Sequence, residues 1–419
     1  MRFATKSALL IALIAGLLSY AKFDHCRTNG WGGAGTYVHA CYSDLPALYL
    51  ERKLNTQQWP YKDGKDSVEY PPGVAMVMWF TSFAVNHDYN QYRAYFDINA
   101  LLIFILFIFM VILLKKMSPE YWYLAPLAPA VIGSLFINWD LWAVLPALLS
   151  IYWFDQKMYQ RSALTLGISI ATKFFPIVLL LPATLILLKR NQNAIRYNAL
   201  ALGTWIAINL PFALTTPQGW WRFYKLNLER GLDWGSIWHA LSIFGVKTTA
   251  LNYFATISFV IGAIAYALYL YGEKELPTLA SASFLIVAIF VTASKVYSPQ
   301  YILWLTPLAV LAIKKKNEVK AFWAWQITEL IYHVAIWQHL ALNYGARFGV
   351  SDTVYAIAVV IRIAGLTYFA TSLFRTISPK SPALLAPQSR ALLRQEGGSY
   401  GRSIELQQSF LRRNLAPYQ

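Results

Sequence analysis

Long apolar segments recur from residue 7 to residue 374 of this chain, and short runs of lysine and arginine end or separate them. A helix needs roughly 20 apolar residues to cross about 30 Å of hydrocarbon, and several of these segments meet or approach that length. Only 13% of the residues are charged and 57% are hydrophobic, with a mean hydropathy of +0.41. Soluble proteins run nearer about 25% charged, so most of this chain has lipid as its solvent and a single soluble domain is excluded.

The net charge of +16 does not point to nucleic acid, because the cations are scattered between apolar segments instead of gathered on one face. Lys115-Lys116, Lys157 with Arg161, Lys189-Arg190 with Arg196, and Lys314-Lys315-Lys316 with Lys320 follow the rule that cytoplasmic loops are basic. The expectation is a multi-pass protein of the plasma (inner) membrane with both termini in the cytoplasm. Its partners then include membrane lipids.

Twelve spans fit that rule, at about 7–22, 98–114, 120–136, 140–155, 162–172, 176–189, 197–213, 248–271, 276–294, 299–313, 321–340 and 353–374. The fold class is therefore all-α, a transmembrane helical bundle. Residues 23–97 form a long first outer loop, and within it the apolar stretch 71–85 opens on Pro71-Pro72. A crossing there would reverse every later basic loop, so it reads as a juxtamembrane or re-entrant helix. Residues 1–374 make one membrane domain, and 375–419 make a basic, Ser/Pro/Gln-rich tail expected to lie disordered on the anionic inner leaflet. The only cysteines, Cys26 and Cys41, share the outer loop. They pair if that space is oxidising, or stand as two buried thiols.

On this topology the residues able to do chemistry collect outside. Asp44 follows the first helix in Tyr42-Ser43-Asp44-Leu45-Pro46. A carboxylate there can take a proton from a hydroxyl, or, with Ser43, simply start a helix. Arg52, Glu69 and Tyr70 follow in the same loop. Asn138 and Asp140 interrupt apolar sequence, where an acid costs about 2.5–3.5 kcal/mol at a helix centre. Lys173 and Lys295, the latter shortly before Gln300, place cations at the outer face, able to bind phosphate or to snorkel. Glu329 and His333 lie four apart on one helix face, spaced for an ion pair, a proton relay or a substrate contact. No metal-ligand spacing and no phosphate-binding glycine loop is present, so neither a metal nor a cofactor is expected.

Taken in order, Tyr42-Ser43-Asp44-Leu45-Pro46 with Tyr49 and Arg52, Pro60-Tyr61, Glu69-Tyr70-Pro71, Tyr95-Phe96-Asp97-Ile98-Asn99, Ile137-Asn138-Trp139-Asp140, Lys173-Phe174-Phe175-Pro176 and Lys295-Val296-Tyr297-Ser298-Pro299-Gln300-Tyr301 resemble glycosyltransferase family 87. That family belongs to the GT-C superfamily, which uses polyprenyl-phosphate sugars and includes bacterial mannosyltransferases. The resemblance spans about residues 35–310. It implies a polyprenyl-phosphate-linked donor, a lipid or glycan acceptor, inversion at the sugar, and Asp44 as the catalytic base. By position, Lys173 and Lys295 match the cations that hold the donor phosphate, with Arg222 or Arg230 as helpers. Trp220, Trp221, Trp234 and Trp238 offer aromatic faces. The rival from another class is a transporter or lipid flippase whose pathway is lined by Asp140, Lys173, Lys295 and Glu329. That rival needs its charges near mid-bilayer, while the transferase needs them at one face.

Overall fold

The computed structural model describes residues 2–62, 64–86 and 90–377, and up to Leu373 these form one compact unit. The expected tail therefore falls outside the described residues, except for the end of the last helix. Every regular element among the described residues is helical. Among the described residues four helices are long and apolar enough to cross a membrane by length and composition, Gln91–Met117, Ala194–Thr215, Thr248–Gly272 and Asp352–Phe374. Thr248–Gly272 exposes Phe254, Ile257, Ile261, Ile264 and Leu268 along its length. A soluble protein does not display such a stripe, which belongs against lipid. The molecule is a polytopic membrane helical bundle.

Of the remaining expected spans, 7–22 and 321–340 lie in continuous helices, Arg2–Lys22 and Lys316–Asn343, while 120–136, 176–189 and 299–313 are broken at prolines. The segment 120–136 is not one helix. Pro126 lies within Leu124–Leu127, and Pro129 opens a second short helix, Pro129–Ser134. Each ring removes a backbone donor and clashes with the preceding turn, so a continuous rod cannot form. Pro176 and Pro299 likewise give 3₁₀ turns at Phe175–Leu179 and Pro299–Tyr301 before Leu180–Lys189 and Ile302–Ala312 resume the α-helical path.

The segment 71–85 contains the helix Pro72–Ser82, with Pro72 in its first turn where no intrahelical donor is lost. Eleven residues rise only about 16 Å, half of what a crossing needs. Gly73 packs directly on Thr172, the residue before Lys173, and near the other end Thr81 accepts from Asn99 Nδ2 at 3.2 Å. The helix is thus pinned at both ends, to the residue before Lys173 and to Asn99, which accepts from Trp139 Nε1 at 2.7 Å.

Three further elements place that site. The hairpin Leu141–Asp155 and Tyr159–Thr172 turns at Lys157, whose φ of +59° is a left-handed conformation. The second arm then carries Lys173 at its far end, about 21 Å from Tyr159. Gly167 on that arm lies against the Ala201 carbonyl and Thr204 of Ala194–Thr215, where no side chain would fit. Such small-residue contacts let membrane helices approach closely. Finally, the interval 214–247 is mostly helical. Pro217–Glu229 presents Trp220, Trp221, Phe223 and Tyr224, and Ile237–Ile243 is capped by Ser236, which accepts from His239 N at 3.1 Å.

Candidate active site

Ser43 and Asp44 begin the helix Asp44–Glu51, as the capping reading of this pair expects. Ser43 is the cap, its Oγ accepting from Leu45 N at 3.2 Å while donating to the Phe136 carbonyl at 2.7 Å. Asp44 N donates to the Ile137 carbonyl at 2.8 Å. These bonds tie the outer loop to the turn before Asn138 and leave the Asp44 carboxylate free to face inward.

A chain of hydrogen bonds then runs across residues 94 positions apart in sequence. Asp44 Oδ1 accepts from the Tyr42 hydroxyl at 2.8 Å, and Oδ2 accepts from Asn138 Nδ2 at 2.5 Å. The same Nδ2 donates to the Tyr70 hydroxyl at 2.6 Å. Asn138 Oδ1 accepts from Lys173 Nζ at 2.9 Å, and Lys173 Nζ also donates to Asp140 Oδ1 at 2.8 Å. Trp304 Nε1 completes the group with a 2.5 Å bond to that oxygen. Asp140 is fully buried and Lys173 nearly so. Lys173 does not snorkel to the surface, because its charge is matched inside.

Asp44, Glu69, Tyr70, Asn138, Lys173 and Gln300 line one cavity of about 1000 Å³. Part of its wall is apolar, built by Ile177, Val178, Phe259 and Phe290. Phe259 and Phe290 come from the membrane helices Thr248–Gly272 and Leu279–Ala293 and pack edge to face at 5.4 Å. Trp221 and Trp234 also line the cavity, whereas Trp220 donates to Asn209 at 2.9 Å and Trp238 to the Ala293 carbonyl at 2.8 Å. Burial pushes the Asp44 carboxyl up to about 6, against the hydrogen bonds from Tyr42 and Asn138 and the charge of Lys173, which favour the ionised form. Arg52 holds Glu69 in a two-point ion pair, NH2 to Oε1 at 2.7 Å with Nε on Oε2.

Other expected residues lie elsewhere. Lys295 does not line the cavity. Its ammonium donates to the Arg230 carbonyl at 2.6 Å and the Leu228 carbonyl at 3.3 Å, and its pKa is lowered by burial and by nearby Arg230. Lys295 thus fastens a loop from which Arg230, paired with Asp233, reaches the cavity. Arg222 donates to the Gly64 carbonyl instead. Glu329 is not paired with His333. It accepts from Arg362 Nε at 2.8 Å, the Tyr297 hydroxyl at 2.9 Å and Trp325 Nε1 at 3.1 Å. His333 packs against Gly133, with Nε2 buried and without a hydrogen-bond partner. Arg362 meets Glu329 through Nε and spends its other two nitrogens on the Tyr297 and Ser298 carbonyls, three bonds that a single imidazole nitrogen cannot match. Of Asp140, Lys173, Lys295 and Glu329, only Lys173 lines the cavity, so these four do not share a pathway there.

Sequence reasoning passed over Tyr42, Trp304 and Arg362 as functional residues. Arg362 left a signal, a lone arginine inside the apolar stretch 353–374. Tyr42 stood in the sequence only as a member of the string Tyr42-Ser43-Asp44, and Trp304 left no signal, since aromatic residues are common at membrane interfaces.

No family profile matches this chain, and no curated protein does. Among solved structures it is similar to the crystal structure of ArnT from Cupriavidus metallidurans bound to undecaprenyl phosphate, at 13% identity and a TM-score of 0.45, over 88% of this chain and 77% of that one. A likeness of that size leaves the site and its chemistry to be judged from this chain's own residues.

Proposed function

We propose that this protein is a membrane glycosyltransferase of the GT-C type, similar to family 87, that moves a sugar from a polyprenyl-phosphate donor to a hydroxyl acceptor at the non-cytoplasmic face. The observation that carries the reading is one cavity holding a carboxylate, a cation and an apolar wall, with Asp44 and Lys173 joined through Asn138. A lipid-phosphate sugar needs those three chemistries: an apolar wall for the prenyl chain, a cation for the phosphate and a base opposite.

In the proposed reaction the acceptor oxygen attacks the anomeric carbon as its proton passes to Asp44. The bond from that carbon to the phosphate oxygen breaks, and its electron pair leaves with the polyprenyl phosphate. One displacement inverts the sugar. Asp44 can receive the proton while holding Tyr42 and Asn138, because an ionised carboxylate has about four acceptor positions. Lys173 and Arg230 stabilise the charge that builds on the phosphate, as fixed cations do where water is excluded. Mannose is the proposed sugar, on the family resemblance.

The test measures transfer of labelled mannose from polyprenyl-phosphate mannose in membranes containing the protein. Asp44→Asn lowers transfer by about 10²–10⁴-fold, the usual contribution of a general base, with the protein present at normal amount. Full activity in that variant removes Asp44 from the mechanism. Absence of transfer by the unaltered protein from mannose and other polyprenyl-phosphate sugars sinks the reading.

A further inference from the structure

Asp44 stands between two unlike walls. Its Oδ2 faces Asn138 and, through it, Lys173, the side suited to the donor phosphate. Its Oδ1 faces the Tyr42 hydroxyl. Behind that hydroxyl four rings form a continuous aromatic surface. Tyr42 stacks on Tyr37 at 5.7 Å and meets Trp337 at 5.6 Å, and Tyr37 meets Tyr344 at 4.7 Å. All four line the cavity, as does Glu51, whose charge reaches Tyr37.

We propose that this wall is the acceptor subsite and that it takes a carbohydrate ring, so that the enzyme extends a glycan. The inference rests on the transferase reading and names its second substrate class. A sugar ring has an apolar C–H face and a rim of hydroxyls. The ring faces of Tyr37, Tyr42 and Trp337 match the first, and Glu51 with the phenol oxygens matches the second. An alkyl chain on the same surface strips water from Glu51 and the phenols and gives no hydrogen bond in return, which is unfavourable. The wall of Ile177, Val178, Phe259 and Phe290 carries no such polar groups and suits the prenyl chain. A sugar hydroxyl resting on Tyr42 lies next to Asp44 Oδ1, on the side of the base away from the donor cation.

The wall is also covalently braced. The Cys26–Cys41 disulfide closes the segment that carries Tyr37, and Tyr42 follows the bridge directly. Trp31 Nε1 donates to the Cys41 carbonyl at 3.0 Å, which holds the closed segment to its own end. The bridge therefore positions the subsite.

The test uses the purified full chain in detergent with polyprenyl-phosphate mannose, a panel of soluble oligosaccharides and, as lipid probe, octanol. Donor binding is measured separately by calorimetry on Asp44→Asn. The expected result is transfer to at least one oligosaccharide. Trp337→Ala and Tyr37→Ala then raise the acceptor KM at least tenfold with the donor KM unchanged, Trp337→Phe recovers most of the loss, and Cys26→Ser with Cys41→Ser raises the acceptor KM in the same way. Donor binding with transfer to octanol and to no oligosaccharide overturns the carbohydrate subsite while the transferase reading stands. Equal rises in donor and acceptor KM, or no change in either, overturn it too. Absence of donor binding defeats the transferase reading itself.

Discussion

At the scale of single residues, Asn138 decides how the site is wired. Its amide nitrogen serves Asp44 and Tyr70, and its amide oxygen serves Lys173, so carboxylate and ammonium are held in one cavity without neutralising each other directly. Lys173 is matched instead by Asp140. The carboxyl of Asp44 is pushed up to about 6 by burial. A base works only when deprotonated, so below about pH 6 the protonated form accumulates and kcat/KM falls, while above it the rate is level. A pH profile of transfer checks this. Tyr42→Phe adds a sharper expectation. The Tyr42 hydroxyl favours ionised Asp44, so its loss raises that carboxyl further and moves the acid limb toward neutral pH. A limb that stays in place, or moves toward lower pH, contradicts the assignment of the limb to Asp44.

At the scale of elements, the last helix matters for a reason that its apolar sequence hides. Arg362 is fully buried, bonds Glu329 on Lys316–Asn343, and donates to the carbonyls of Tyr297 at 2.5 Å and Ser298 at 3.3 Å. It thereby joins two helices to the loop that leads to Gln300 and Tyr301 in the cavity wall. Arg362→Met leaves Glu329 buried without its cation, a loss of about 3–5 kcal/mol. Thermal unfolding in detergent shows it as a large fall in Tm. Adding Glu329→Leu removes the stranded charge and restores much of the loss, whereas a double variant no more stable than the single one refutes the pairing. Pattern alone made most elements readable, because hydropathy and prolines are local. The helix Pro72–Ser82 followed from its two prolines and the charge rule, and the break at Pro126 and Pro129 was also there to be read. Pairings were not readable, since Glu329 reaches Arg362 across 33 residues while His333, one turn away, points to Gly133. Lys173, which splits an apolar run, and Lys295, which ends one, look alike in sequence as lysines at the outer face. Only the fold shows that the first meets Asn138 and the second meets backbone carbonyls.

At the scale of the whole molecule, the arrangement works only if the cavity opens on the side away from the basic loops. Tyr159–Thr172 runs from the turn at Lys157 to Lys173 in the cavity wall, and Ala194–Thr215 runs from Gln192 and Asn193 to the helix carrying Trp221. Lys157, Arg161 and Arg196 share a second, smaller cavity with Gln192 at the starts of these two helices. The 22 residues of Ala194–Thr215 rise about 33 Å, enough to separate the two sides of a bilayer. Both cysteines of the sequence are joined in the disulfide, so a single introduced cysteine is the one reactive thiol in an otherwise silent protein. Gln192→Cys and Lys247→Cys both fall on exposed positions. In intact cells a membrane-impermeant maleimide is expected to label the second and to reach the first only after the membrane is opened. The reverse pattern puts the basic loops outside and Asp44 in the cytoplasm. Labelling of both from one side denies that Ala194–Thr215 crosses at all, and either result removes the topology on which a non-cytoplasmic reaction depends.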